Sequence, residues 1–325
     1  MDVFDGLNNK KIAVTGANGY IGAALVNALT KYSSQILCIS RRELKPMKNT
    51  LSLKADIRTN DCWPEIVERA DIIFHLAGNT SVYAAANDPS ESLASTLFPI
   101  THLIRAAQEV GCKPRVIYAS TATVYGLTEK TIPVNETFEP KPITVYDLHK
   151  YFAEKQLALA TQLGLIEGVS LRLANVYGSS ASVSSAEDRG ILNKVTSMAM
   201  QGKDISLYGG GNYLRDYVFI DDVVSAFMLA GLSDEVGDGV FNVATGNSVS
   251  VREAFNLVAL MVENNTGHKV QLKTVPWPEG ANPIDFRNYV ANIKSISATL
   301  GWHPLISLEA GIGRMIERLG DIKND

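Results

Sequence analysis

The chain has 325 residues, 46% hydrophobic and 20% charged, with a formal net charge of −4. Those proportions fit a soluble globular protein of one large or two modest domains, and the lack of a basic excess argues against nucleic acid as the main partner. No run approaches the ~20 apolar residues of a membrane helix, the opening Met-Asp-Val-Phe-Asp is no signal peptide, and Cys38, Cys62 and Cys112 are scattered as expected of reduced cytoplasmic thiols, with neither a metal site nor a disulfide framework.

Lys11 to Thr15 is a short apolar run that predicts a buried parallel strand. Gly16, Gly19 and Gly22 follow as G-x-x-G-x-x-G, and Ile21, Ala24, Leu25, Ala28 and Leu29 then recur at helical spacing. Strand, glycine turn and helix are the setting of a dinucleotide site. The glycines allow a tight turn and close approach to a pyrophosphate, and the helix N-terminus offers free N–H groups and partial positive charge.

Further strands are predicted at 35–39, 51–53, 71–75, 115–119 and 168–174. Helices are predicted at 20–31, 62–69, 91–110 and 145–163, with Asn60 and Asp61 as caps of the second. This alternation predicts an α/β fold, a Rossmann-type doubly wound parallel sheet. Pro133, Pro140 and Pro142 mark a loop before the last of these helices.

Organisation changes after about residue 176. Ser179 to Ser185 is small and polar, as expected of a mobile loop; a helix near 188–201, a strand near 205–208, a turn at Gly209–Asn212 and a helix from Phe219 to Gly231 follow. The predicted division is a dinucleotide-binding domain of residues 1–176 plus about 219–245, and a smaller C-terminal substrate domain of about 177–218 plus 246–325.

Tyr146 and Lys150, in Tyr-Asp-Leu-His-Lys, are four apart and so share a helix face. A phenol normally titrates near ~10, and a lysine ammonium held nearby favours the phenolate. Such a pair can move a proton to or from a sugar or alcohol oxygen. Thr121, in Ser-Thr-Ala-Thr-Val-Tyr-Gly, could hold that oxygen in place.

Together these motifs resemble the extended short-chain dehydrogenase/reductase family, in its nucleotide-sugar epimerase and dehydratase branch. Nearly the whole chain takes part: the glycine turn of 13–22, Ala55-Asp56-Ile57-Arg58, His75-Leu76-Ala77-Gly78, Ser120 to Gly126, Leu171 to Gly178, Arg215 to Val223 and Asn242 to Gly246. The resemblance implies cofactor contacts from Gly16, Asn18, Gly19, Tyr20, Ile21 and Gly22, with Asp56 and Ile57 beside the adenine. Leu76, Ala77, Gly78, Tyr146, Lys150 and Val176 would line the rest of the cofactor. It implies Thr121, Tyr146 and Lys150 as the catalytic set. Substrate contacts would come from Thr121, Asn175, Arg215 and Arg287, the two arginines holding the diphosphate of a nucleotide sugar. A cytoplasmic homodimer is the expected setting. His75 is expected to be structural, His149 to lie on the surface and Asp222 to cap a helix. Two departures stand out: Thr96-Leu97-Phe98-Pro99-Ile100 replaces the family's N-x-x-G-T, and Ser179 replaces the proline of N-V-Y-G-P.

After the second strand the chain runs Ser40-Arg41-Arg42, where an NAD site usually carries an acid for the ribose 2′-hydroxyl. Arg41 and Arg42 could pair with a 2′-phosphate, which favours NADP, with NAD as the alternative if the turn is merely solvated. Dehydratases of the family carry an Asp-Glu pair where this chain has Ala122 and Thr123, so dehydration is disfavoured. The expected reaction is epimerisation at C4 through a transient 4-keto sugar. An NADPH-dependent reductase of a 4-keto nucleotide sugar fits the same residues. A reductase of a non-nucleotide carbonyl and a cofactor-binding regulator without turnover remain as further readings.

Overall fold

The computed structural model describes residues 2–33, 35–128, 133–179, 190–234 and 239–322. The loop expected at Ser179–Ser185 lies, beyond Ser179, outside the described residues.

The strands are β1 (Ile12–Thr15), β2 (Ile36–Ser40), β3 (Thr50–Lys54), β4 (Ile72–His75), β5 (Arg115–Thr121), β6 (Glu167–Leu173), β7 (Asn175–Tyr177), β8 (Ile205–Tyr208), β9 (Leu214–Phe219), β10 (Val240–Val243), β11 (Ser248–Ser250) and β12 (Leu272–Val275). Seven form one sheet in the order β10-β6-β5-β4-β1-β2-β3, every pair parallel. Every residue of β1 and β4 is buried, since helices cover both faces, which is why these strands read as unbroken apolar runs. Strand order reverses between β1 and β4, and the crevice beyond their C-terminal ends is where such sheets bind ligands.

The helices are α1 (Tyr20–Leu29), α2 (Trp63–Glu68), α3 (Val82–Asn87), α4 (Pro89–Thr96), α5 (Phe98–Val110), α6 (Val145–Gln162), α7 (Ile191–Met200), α8 (Ile220–Leu232), α9 (Val251–Thr266), α10 (Lys294–Leu300) and α11 (Leu308–Ile322). One face of the sheet packs Val14 and Phe74 against Leu25 of α1 and Phe227 of α8; Ile296, Leu300 and Trp302 join this core from near the C-terminus. The other face packs Tyr118 against Trp63, Leu103 and Leu157 of α2, α5 and α6. A separate cluster joins Leu192, Phe255, Val258 and Ile312 of α7, α9 and α11 to β8 and β9.

Three local expectations are corrected. The helix expected over 91–110 is two helices meeting at Leu97, because Pro99 lacks an N–H and its ring obstructs a continuous helix. Neither Asn60 nor Asp61 caps α2, whose N-cap is Cys62 without a side-chain bond. Asp222 lies inside α8 and accepts the Leu305 and Ile306 amides at 3.0 and 3.1 Å, tying the C-terminal segment down rather than capping its own helix.

Candidate active site

A cleft of about 910 Å³ runs along the C-terminal ends of the strands. Its wall includes Gly16, Asn18, Gly19, Tyr20, Ile21 and Gly22 from the first turn, Arg41 and Arg42 after β2, Asp56 and Ile57 after β3, and Leu76, Ala77 and Gly78 after β4. Tyr146, Lys150 and Val176 line its inner end. The structure thus brings all the residues expected around the cofactor to one surface.

The turn needs its glycines. Gly16 sits at φ 70°, and a Cβ there would meet the Ala77 nitrogen at 2.9 Å. A Cβ on Gly22 would lie 2.1 Å from the Gly16 carbonyl oxygen. The cap of α1 is Gly19, which brings no side chain to its first-turn amides, so the helix end faces the cleft with partial positive charge. Bare backbone, a helix N-terminus and a cleft of dinucleotide size fit a nicotinamide adenine dinucleotide. Asp56 is held by Arg58, which also grips Glu91 at 2.8 Å and keeps the Asp56 carboxyl below its usual range. Ser40 Oγ accepts the Arg42 amide at 3.2 Å, and no carboxylate stands at the end of β2.

A second cavity of about 330 Å³ opens from the inner end of the cleft. Thr121 and Tyr146 line both. Thr121 ends β5 and starts a short 3₁₀ turn, Ala122–Tyr125, where its Oγ1 accepts the Thr123 amide at 3.2 Å and lies 2.9 Å from Thr123 Oγ1. Tyr146 is in the first turn of α6, started by Thr144, whose hydroxyl accepts the Asp147 amide at 3.1 Å. Lys150 follows one turn later and is buried; its Nζ donates to the Ala119 carbonyl at 2.9 Å and stands 4.9 Å from the Tyr118 ring centroid and 6.0 Å from that of Tyr146. Burial lowers the Lys150 ammonium to about 8, with Glu154 pulling it back up.

Arg287 and Asn175 line the second cavity and touch each other, the guanidinium donating to Asn175 Oδ1 at 3.2 Å. Arg215 lies behind that wall. Its guanidinium is spent on the carbonyls of Leu214 (3.0 Å), Asp285 (2.7 Å) and Arg287. Burial, then the charge of Arg287, lowers Arg215 to about 9.

Several residues of the site carried no signal in the motifs. Glu154 pairs with Arg172 beneath Lys150 and accepts the Ser120 hydroxyl; its place one turn beyond Lys150 was the available clue. Tyr83 on α3 donates to Asp285 across the mouth of the second cavity at 2.5 Å, a contact 202 residues apart that no local pattern announces. His149, expected on the surface, is buried against α4 with Nδ1 3.0 Å from Ser92 Oγ. His75 is sealed in the sheet, 2.9 Å from Thr15 Oγ1, and burial lowers it to about 3, so it is neutral.

Residues 12–244 match the model of the NAD dependent epimerase/dehydratase family. UDP-glucose 4-epimerase of Mycolicibacterium smegmatis is 29% identical over 94% of this chain and 96% of its own length. GDP-6-deoxy-D-mannose reductase of Pseudomonas aeruginosa is 26% identical over 93% of this chain and 95% of its own. The crystal structure of UDP-glucose 4-epimerase from Thermotoga maritima with UDP-glucose superposes with a TM-score of 0.84, at 28% identity over 96% of this chain and 99% of that one. The cleft geometry and these likenesses agree: the chain belongs to the NAD dependent epimerase/dehydratase family, enzymes that work with a nicotinamide cofactor.

Proposed function

We propose that the protein interconverts C4 epimers of a nucleotide sugar. The observation that carries this reading is the position of Thr121 and Tyr146 on the shared wall of the two cavities, with Lys150 behind them. A cofactor in the larger cavity and a sugar in the smaller one would meet at the wall that Thr121 and Tyr146 share. Tyr146 takes the proton of the C4 hydroxyl as the alcohol becomes a ketone, and returns it in the reverse step. Lys150, cationic at neutral pH, stabilises the negative charge that develops on the tyrosine oxygen. Thr121 holds the sugar oxygen against Tyr146. A nicotinamide cofactor held along the Gly16–Gly22 turn would supply hydride acceptance and return at C4.

Burial and the charge of Arg287 depress the basicity of Arg215, so an anion beside the two arginines is favoured. A diphosphate at that end anchors the nucleotide while the flat 4-keto sugar turns over. Ala122 and Thr123 leave this loop without a carboxylate, which supports epimerisation over dehydration. Arg41 and Arg42 on the cleft wall support NADP over NAD, and that preference favours the second reading, an NADPH-dependent 4-keto-sugar reductase.

In this reading the cofactor domain is residues 1–176 plus about 219–245, and the substrate domain is about 177–218 plus 246–325. The reading also holds the protein to be a cytoplasmic homodimer. Exposed Leu148, Phe152 and Leu159 share one face of α6, an apolar stripe suited to a second copy. The test is incubation with candidate nucleotide sugars and only catalytic cofactor. Epimer formation with no net change in nicotinamide absorbance supports the epimerase. Stoichiometric NADPH consumption with a 4-keto sugar and no epimer establishes the reductase.

A further inference from the structure

Asp147 is the unexplained group of the site. It is fully buried, and no donor around it reaches either carboxyl oxygen with full hydrogen-bond geometry. Its place three residues after the cap Thr144 is where an acid often bonds the cap residue's own N–H, and that bond is not made. An unsatisfied buried polar group costs on the order of 1–3 kcal/mol, and helix capping does not account for this one.

Four groups face the carboxyl. The Thr123 hydroxyl comes from the 3₁₀ turn, the Thr144 hydroxyl and Ile143 amide come from the segment before α6, and Arg287 on the wall of the second cavity acts through its charge alone. Thr123 Oγ1 is in turn 2.9 Å from Thr121 Oγ1, and either can donate. Both threonines line the second cavity. Asp147, Thr123 and Thr121 therefore form a row from behind the wall to the reacting position.

We propose that Asp147 is a positioning residue that acts through Thr123 and Thr121, its carboxyl setting the direction in which Thr121 offers its hydroxyl to the substrate oxygen. The inference rests on the reading of Thr121 and Tyr146 as the reacting pair. A hydroxyl carries one proton and two lone pairs. An ionised Asp147 only accepts. Thr123 then turns its proton inward and accepts from Thr121, so Thr121 meets the substrate with a lone pair, which suits an alcohol. A protonated Asp147 starts the row as a donor, and Thr121 ends it with its proton toward the substrate, which suits a ketone. The proton on Asp147 comes from solvent and stays there. Only hydrogen bonds reverse, and no atom is gained or lost. Burial pushes this carboxyl up, with Thr123, Thr144 and Arg287 holding it back, so the protonated form is more accessible than for an exposed aspartate.

The experiment uses the full chain with its cofactor and the nucleotide sugar identified in the panel above. It measures kcat, KM and Tm for wild type, Asp147→Asn, Asp147→Leu, Thr123→Val and the double variant D147L/T123V. The amide that D147N introduces can both donate to Thr123 and accept from it, so kcat should stay within about threefold of wild type. D147L and T123V should each lower kcat about tenfold, less than the ~10²–10³ of a direct oxyanion donor, with KM nearly unchanged. The double variant should be no slower than the worse single, because a row broken once loses nothing more when broken twice. Tm of D147L should hold or rise, since a buried acid with no fully formed hydrogen bond is removed. Multiplying losses, losses that track Tm, or an effect on KM alone would overturn the inference; the last would mean that Asp147 serves Arg287. A wild type that turns over no nucleotide sugar overturns the underlying reading and this inference with it. A wild type that turns over while D147L keeps its kcat overturns this inference alone.

Discussion

Glu154 and Arg172 are paired at two points in the interior, with Arg172 Nη2 2.7 Å from Glu154 Oε2 and Arg172 Nε 3.1 Å from Oε1. From Arg172 the network continues to the Tyr125 hydroxyl at 2.9 Å and on to Asn242 at 2.8 Å. It ties α6, which carries Tyr146 and Lys150, to β6, the 3₁₀ turn and β10. The helix that carries Tyr146 and Lys150 is therefore fixed by a buried ion pair as well as by apolar packing.

Arg172→Met alone should be severe. It leaves Glu154 buried without its ion-pair partner, with only the Ser120 hydroxyl and the Lys150 charge near it, and such a loss costs about 3–5 kcal/mol. Removing both charges, as in E154L/R172M, should recover much of that loss. Denaturant titration of the two singles and the double gives the coupling directly, and purely additive losses would contradict a network of this kind.

Lys150 gives rate and stability opposite pH dependences. Burial lowers it to about 8 from 10.5. As pH rises through about 8, the folded protein loses this cation, and kcat/KM should fall. Between that pH and 10.5 the unfolded chain still holds the proton. The unfolded state then binds more protons, so this residue's contribution to stability rises with pH over the same window. Lys150→Met should abolish both trends. A pH series of kcat/KM alongside urea midpoints tests the pair of signs.

Tyr146→Phe removes only the oxygen that moves the proton in the proposed reaction. Turnover should drop on the order of 10²–10⁴-fold while cofactor affinity is kept. Near-wild-type rates would show that another group transfers the proton.

Cofactor choice should follow Arg41 and Arg42. A bond to a charged group is worth about 1.5–3 kcal/mol, so R41A/R42A should weaken NADP(H) about tenfold to a hundredfold and leave NAD(H) nearly unchanged. Equal losses for both cofactors, or a native preference for NAD(H), would sink the arginine reading. Fluorescence titration of the two cofactors against both proteins is sufficient.

The cofactor half was legible because its signals are local. The Gly16–Gly22 turn, the short apolar strands and the Tyr146–Lys150 spacing each depend on neighbours within a few residues. What stayed hidden depends on distant partners. The Tyr83–Asp285 contact, the burial of His149 against Ser92 and the Glu154–Arg172 pair follow only from how α3, α4 and α6 dock. Pro99 was visible in the chain, but the periodicity on either side of it hid the break at Leu97. Arg215 shows the same limit: the motif marks the residue, and only the fold shows what its guanidinium touches.

That contact defines the last prediction. Arg215 bonds carbonyls on two segments, Leu214 on β9 and Asp285 and Arg287 across the chain, and so clamps the segment that carries Arg287 onto the wall of the second cavity. Arg215→Lys keeps a charge but replaces a planar fork with a single ammonium, which cannot reach both segments in the same geometry. Without ligand the variant should lose about 1.5–3 kcal/mol, the usual worth of a hydrogen bond involving a charged group. KM for the nucleotide sugar should rise about tenfold as Arg287 loses its seat, with cofactor affinity unchanged. If Arg215 instead grips the diphosphate directly, ligand-free stability should be untouched while KM still rises. Denaturant midpoints measured without substrate therefore separate a clamp from a direct contact.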